Sequence, residues 1–248
     1  MQYARCIVCP VFEVIPIYHW FLSALEERYE PVRLLKETPR SSVRLIQHRD
    51  TGRPFILRRF TGNSEVYRRL LGYSCKNLPQ VYEVAEEDGQ VVVLEEFIAG
   101  DTIDFLLKES LFAPRETRKI VRQLCQALWI LHSMSAVHRD IKPDNVILRG
   151  SEAVLIDFDA ARFHKPEHAS DTQILGTIGY AAPEQFGLSQ SDIRTDIYSL
   201  GILMNIMLTG EHPSKKLAGG QLGRIVERCT QINPDKRYKS VRWLMEVL

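Results

Sequence analysis

Neither sign of charge dominates this chain: 32 lysines and arginines stand against 31 acidic residues in 248, a formal net charge of +1. Without a surplus of positive charge there is no global field to gather a polyanion, so neither a nucleic-acid nor an acidic-membrane partner is indicated. Cysteine is scarce and odd in number, at Cys6, Cys9, Cys75, Cys125 and Cys229. The intervals are not those of a disulfide framework, which points to reduced thiols and a cytoplasmic location. Cys6 and Cys9 have the spacing of half a zinc site, but no second pair with matching spacing follows, so they read as two thiols in an apolar stretch. Long apolar runs are missing as well. The most hydrophobic stretch, Cys6 to Leu25, is broken by Pro10, Glu13, Pro16 and His19 and is a poor membrane span. Only Arg5 precedes it and no small-residue cleavage site follows, so it does not read as a secretory signal. Its end, Trp20 to Leu25, is expected to be a short helix packed on the next part of the chain.

What is present is a globular composition, 45% hydrophobic and 25% charged, on a chain long enough to bury a core without staples. From about residue 29 to 97 the pattern is strand and turn. Val43 to His48 and Arg53 to Phe60 flank the turn signal Asp50, Thr51, Gly52, and Val81 to Ala85 and Val91 to Glu95 flank Glu87, Asp88, Gly89; both read as hairpins. Between them Ser64 to Leu71 reads as a short helix with Asn63 or Ser64 as N-cap. After Gly100 and Asp101 the period changes. Pro114 to His132 carries Ile120, Leu124, Ala127, Leu128 and Leu131 on one helical face, and Ile193 to Leu208, Leu222 to Thr230 and Tyr238 to Leu248 read as further helices. The fold class is therefore α+β. An extension (1–28) precedes a small sheet-rich lobe (29–97) and a larger helical lobe (98–248).

The most specific stretch is His138, Arg139, Asp140, Ile141, Lys142, Pro143, Asp144, Asn145. It is followed by an apolar strand ending in Asp157, Phe158, Asp159, then by Gly176 to Glu184 with Thr177, Tyr180, Ala182 and Pro183, and then by Asp196 to Gly201. In order and spacing these four stretches resemble the catalytic domain of the eukaryotic-like (Hanks-type) serine/threonine protein kinases, of a bacterial-type soluble form, and the resemblance covers residues from about 29 to 248. It implies a two-lobed protein-kinase-like fold and transfer of the γ-phosphate of ATP to a protein hydroxyl with Mg²⁺ or Mn²⁺. In the residues that match, Asp140 would accept or orient the hydroxyl proton and Lys142 would sit near the transferred phosphate. Asn145 and Asp157 would supply the hard oxygen ligands of the metal, and Thr177 would bridge Asp140 and Lys142 and favour Ser/Thr acceptors. His138, Arg139, Glu184, Asp196 and Arg237 take structural roles, with Glu184 paired to Arg237 and Asp196 accepting backbone N–H groups of the catalytic loop. Arg139 before the catalytic aspartate resembles kinases switched by loop phosphorylation, for which Ser170 and Thr172 are the expected phosphosites.

The small lobe departs from the family. Where the family has a glycine-rich loop before Val43, Lys36 to Ser42 contains no glycine, so backbone N–H groups should approach phosphates less closely. Arg58 stands where the family has its strand lysine, with Glu65 as its expected acidic partner. Val43, Arg58, Glu65, Glu96, Ile98 and Ile147 are the expected ATP-binding positions, and Glu96, Phe97 and Ile98 the adenine hinge. Glu95 is the gatekeeper, and Asp159 replaces the glycine after Phe158. Two readings follow: an active kinase in which Arg58 or Lys36 meets the phosphates, or a pseudokinase acting as a nucleotide-binding or scaffolding module. The retention of Asp140, Asn145 and Asp157 favours the first.

Overall fold

Both hairpins form where the turn signals stand. The computed structural model describes residues 17–163, 177, 179–186 and 191–248; Cys6, Cys9, Ser170 and Thr172 lie outside them. Strands β1 (Tyr29–Thr38), β2 (Ser41–His48), β3 (Pro54–Thr61), β4 (Val81–Glu87) and β5 (Gln90–Glu96) make one antiparallel sheet in the order β1-β2-β3-β5-β4. Between β4 and β5 the turn residues Asp88 (φ 49) and Gly89 (φ 74) both lie in the left-handed region, as a two-residue type I′ turn requires. The glycine-free segment is itself a tight hairpin between β1 and β2. Thr38 Oγ1 accepts the N–H groups of Arg40 and Ser41, so a side chain satisfies the turn.

Strand alternation divides this sheet's residues between two faces. Phe55, Leu57, Val92 and Leu94 bury against Phe21 and Leu25 of α1 (Ile17–Arg28), which extends the helix expected over Trp20 to Leu25 by several residues at each end. The opposite face carries Arg58, Phe60, Val91 and Val93 and looks toward α2 (Glu65–Leu70) and the helical lobe. On α2 the buried residues are Val66, Tyr67 and Leu70.

The helical lobe begins with β6 (Asp101–Thr102) and α3 (Ile103–Leu107), whose N-terminus is capped by Thr102 Oγ1 accepting from Phe105 N–H. Helix α4 (Pro114–Ser133) has proline in its first turn and buries Ile120, Leu124, Ala127, Leu128 and Leu131, the face read from the 3.6-residue period. Short strands β7 (Ala136–Val137), β8 (Val146–Arg149), β9 (Glu152–Leu155) and β10 (Arg162–Phe163) frame the loops after it. Helix α5 (Ile193–Thr209) starts at an Asp192 cap and stops at Gly210 (φ 74). It meets α6 (Gly220–Cys229) at Gly201, where an added Cβ would lie 2.5 Å from Cys229 Cβ. The last helix, α7 (Val241–Val247), is shorter than the expected span from Tyr238. Ser240 is in extended conformation ahead of it, and Tyr238 is instead buried, with Arg228 over its ring. Cys75, Cys125 and Cys229 are free thiols; burial raises the pKa of Cys125 and pushes that of Cys229 up to about 12, so neither is a reactive thiolate. Among the described residues no helix is long and apolar enough to cross a membrane.

Candidate active site

The loop from His138 to Asn145 connects β7 to β8 and closes on a 3₁₀ turn, Pro143–Asn145. Its shape is fixed from below by Asp196 on α5, which is fully buried. Asp196 Oδ2 accepts His138 N–H (2.9 Å) and Oδ1 accepts Arg139 N–H (2.8 Å), while His132 Nε2 lies 2.8 Å from Oδ2. Burial alone would raise this carboxyl, but His132, His138 and the Arg139 N–H outweigh it and hold the pKa below the ordinary value. Arg139 then adopts φ 70, which a non-glycine residue holds only when its surroundings over-determine it.

On that base Asp140, Lys142 and Thr177 close a hydrogen-bonded ring, with Asn145 attached to it through Asp140. Thr177 Oγ1 donates to Asp140 Oδ1 at 2.7 Å, and Lys142 Nζ donates to Thr177 Oγ1 at 2.7 Å and to Asp140 Oδ2 at 3.0 Å. Asn145 Nδ2 donates to Asp140 Oδ2 (2.9 Å) and to the Asp140 carbonyl (2.8 Å). Three donors on one carboxylate fix its rotamer, so it can take a hydrogen bond from a hydroxyl placed before it. The segment after Thr177 is tied to this loop by Gln185 Nε2 donating to the Arg139 carbonyl at 2.8 Å. Glu184 and Arg237 form the bidentate pair that the resemblance implies, Nη1 to Oε1 at 2.7 Å and Nη2 to Oε2 at 2.9 Å. Both are buried, and Thr195, the Gln231, Ile232 and Arg194 carbonyls and the Tyr198 ring use the remaining hydrogen-bonding and cationic capacity.

The nucleotide side is assembled differently from the expected pairing. Glu65 does not face Arg58. The apolar face of α2 is set by Val66, Tyr67 and Leu70, which turns Glu65 outward to an exposed contact with Arg69, 3.7 Å away at i,i+4. Arg58 finds its counter-ions elsewhere. Nε and Nη2 donate to Glu95 Oε1 (3.2 and 3.1 Å), and Nη1 donates to Asp157 Oδ1 (3.0 Å) and Asp159 Oδ2 (3.3 Å). Tyr67 occupies the inward position on α2. Its hydroxyl donates to Asp159 Oδ1 (2.9 Å) and accepts Phe158 N–H (3.2 Å), and its ring meets Phe158 edge-on. Lys36 Nζ reaches Asp157 Oδ2 (3.2 Å) and Ser41 Oγ donates to Asp159 Oδ2 (3.1 Å), so the β1–β2 hairpin is bound to the acidic turn at two points.

Burial and charge pull these carboxyls apart. Burial would raise Asp157, but Arg58, with Lys36 behind it, overcomes that and holds it down at about 2. Burial raises Asp159 and Glu95, and Arg58 offsets it only in part. Oε2 of Glu95 is buried without a hydrogen bond among the described residues.

Of the expected ATP-binding positions, Val43 and Ile98 are buried and Ile147 is half-buried. The Glu96 side chain crosses to Arg149 on β8 (2.8 Å) and accepts Gln80 N–H (3.1 Å), joining the two lobes. For a divalent metal, the donor chemistry fits. Asp157 is ionised at neutral pH, and among the described residues the Asn145 side chain bonds only through its amide nitrogen, which leaves a hard carbonyl oxygen to give. No group of three or more His, Cys, Asp or Glu side chains among the described residues could hold a metal by itself. Two protein ligands with the remaining positions on phosphate and water are the usual Mg²⁺ arrangement in nucleotide sites.

Sequence reasoning missed Tyr67 and the pairing of Glu95 with Arg58. The signal was in the strands. Arg58 lies opposite Val93 and Ile56 opposite Glu95, so Arg58 and Glu95 are diagonal neighbours on one face.

Residues 58–244 match the family model described as the protein kinase domain. The match begins at Arg58 and leaves out β1, β2 and their glycine-free turn. The chain is 28% identical over 218 residues to serine/threonine-protein kinase PknA of Nostoc sp., an alignment covering 78% of this chain and 38% of that protein. It is 32% identical over 161 residues to serine/threonine-protein kinase PknE of Mycobacterium tuberculosis, covering 62% and 28%. With serine/threonine-protein kinase 1 of Heliothis zea nuclear polyhedrosis virus it shares 30% identity over 177 residues, covering 69% and 65%. In each case the aligned part spans less than two thirds of the relative's own length.

Proposed function

The chain belongs to the protein kinase domain family, and on that footing we propose that it transfers the γ-phosphate of ATP to serine or threonine hydroxyls of a protein substrate. The observation that carries this reading is the arrangement around Asp140, whose carboxylate oxygens lie 2.7–3.0 Å from polar atoms of Lys142, Asn145 and Thr177. Asp140 takes the hydrogen bond of the incoming hydroxyl and holds its proton on the carboxylate side as the oxygen attacks. Lys142 places its ammonium beside the same carboxylate, where it meets the negative charge of the group being transferred. Thr177 fixes both. The family uses a divalent metal with ATP; Mg²⁺ or Mn²⁺ held by Asn145 and Asp157 would neutralise phosphate charge there. Transfer needs no proton from Asp157, which the two cations keep ionised.

The buried free thiols support a reducing, cytoplasmic setting, and Ser170 and Thr172 are kept as the positions where a phosphate would pair with Arg139. The test is where the label goes. The chain is incubated with γ-labelled ATP, Mg²⁺ or Mn²⁺ and a generic basic protein, and the products are digested to amino acids. Phosphoserine or phosphothreonine supports the proposal. Label found only as inorganic phosphate or on a small molecule contradicts it.

A further inference from the structure

Two cations share the cleft face of the sheet. Lys36 lies opposite Val43 and Val43 opposite Arg58, so the three stand in one row across β1, β2 and β3. Lys36 joins that row through an irregularity in β1. Leu34 pairs with Arg44 and Lys36 with Val43, which leaves Leu35 as the extra residue of a bulge. In a regular ladder Leu35 would oppose Val43, and Lys36 would project from the other face.

The two cations differ in what they have left to give. Arg58 is 3% exposed, and its Nε, Nη1 and Nη2 already donate to Glu95, Asp157 and Asp159. Drawing it toward a nucleotide would strip three carboxylates, two of them buried, of their shared counter-ion. Lys36 is 49% exposed and, among the described residues, has one partner, Asp157 Oδ2 at 3.2 Å. An ammonium has three N–H groups, so two remain for an incoming anion. It stands on the strand leading into the turn where the family's glycines would lie, beside the carboxylate assigned to the metal.

We propose that Lys36, not Arg58, is the side chain that contacts the phosphates of the bound nucleotide, and that Arg58 serves as the fixed counter-ion of Glu95, Asp157 and Asp159. The proposal rests on ATP being the substrate. A strand bulge then replaces the family's lysine in space: the positive charge reaches the phosphates from β1 while the β3 position becomes part of the buried frame.

The test is a pair of binding titrations on the full chain, ATP with Mg²⁺ and adenosine, which shares the base and sugar but carries no phosphate. Loss of a charge-assisted contact should weaken ATP binding by Lys36→Met about tenfold or more. Adenosine affinity should stay within about twofold, the melting temperature should hold, and Lys36→Arg should recover most of the ATP affinity. Equal ATP affinity in wild type and Lys36→Met overturns the proposal. So does a parallel loss of ATP and adenosine, which would make Lys36 a support of the pocket through Asp157. A phosphate-selective loss in Arg58→Gln, with Lys36→Met unaffected, returns the role to Arg58. If the Lys36 pattern holds but no phosphate is transferred to protein, the kinase reading fails while the Lys36 assignment stands.

Discussion

Asp140, Lys142 and Asn145 are at most five positions apart in the chain, and only Thr177 comes to them from a distance. On the other side of the cleft, Lys36, Arg58, Tyr67, Glu95, Asp157 and Asp159 arrive from β1, β3, α2, β5 and the turn after β9. The first group is made by one loop held on one buried aspartate. The second exists only once the sheet has paired in register and α2 has docked. A motif can therefore specify the proposed catalytic group locally, whereas the cation group depends on several independent placements, and there this chain departs from the family's motifs. The family match begins at Arg58 and, of all these residues, leaves only Lys36 outside it.

That contrast can be broken by substitution, the largest effect first. Asp140→Asn removes the carboxylate but keeps the shape, so phosphate transfer should fall about 10²–10⁴-fold with little change in melting temperature. A comparable loss of stability would show that the loop depends on the charge for its fold.

Next come two buried ion pairs, one in each lobe. Glu184→Ala leaves Arg237 buried and uncompensated, and Arg58→Met leaves Glu95, Asp157 and Asp159 without their cation. Each should cost about 3–5 kcal/mol in denaturant unfolding. The two should differ in pH response. The Arg58→Met deficit should shrink as the medium is acidified and the carboxyls protonate, which sharpens the view of Arg58 as a counter-ion.

The pH dependence of stability gives a smaller effect of opposite signs within one cluster. Asp157 has a depressed pKa, so its contribution is complete above the unfolded value of 3.8 and is lost as pH falls toward about 2. The amount is about 2 kcal/mol. Glu95 and Asp159 have raised pKa values, so their contribution is complete below the ordinary carboxylate range and declines as pH rises through the folded values. Melting curves from pH 2 to 7 should show Asp157→Asn losing the acid-side fall, and Glu95→Gln losing part of the decline on the neutral side. The reverse assignment would mean that Arg58 favours the wrong carboxylate here.

The smallest effect belongs to Glu65. Its contact with Arg69 is exposed, so Glu65→Ala should cost no more than about 0.5 kcal/mol and leave ATP affinity unchanged. A large loss of either would restore it as the partner of Arg58.

What could be read from the sequence follows the same division. The hairpins, the long face of α4 and the catalytic octet rest on local signals: turn residues, a 3.6-residue period and contiguous chemistry. Glu65 was misplaced because a six-residue helix has too few turns to declare its apolar face, and Tyr67 completes that face while hiding a polar handle. The Arg58–Glu95 pair needed the pairing of β3 with β5, and placing Lys36, already an alternative cation in the sequence, in the row of Arg58 needed a bulge that no composition announces. The short final helix followed from residues 238–240, where burial of Tyr238 and an extended Ser240 override an apolar pattern.

The most direct measurement is label transfer from γ-labelled ATP to protein by wild type and Asp140→Asn, assayed side by side at equal folded concentration with Mg²⁺ or Mn²⁺. The predicted result is serine or threonine phosphorylation by the wild type and its near-complete loss in the variant. Equal labelling by the two proteins, or none by a wild type that binds ATP, would contradict the assignment of this ring of side chains to phosphoryl transfer.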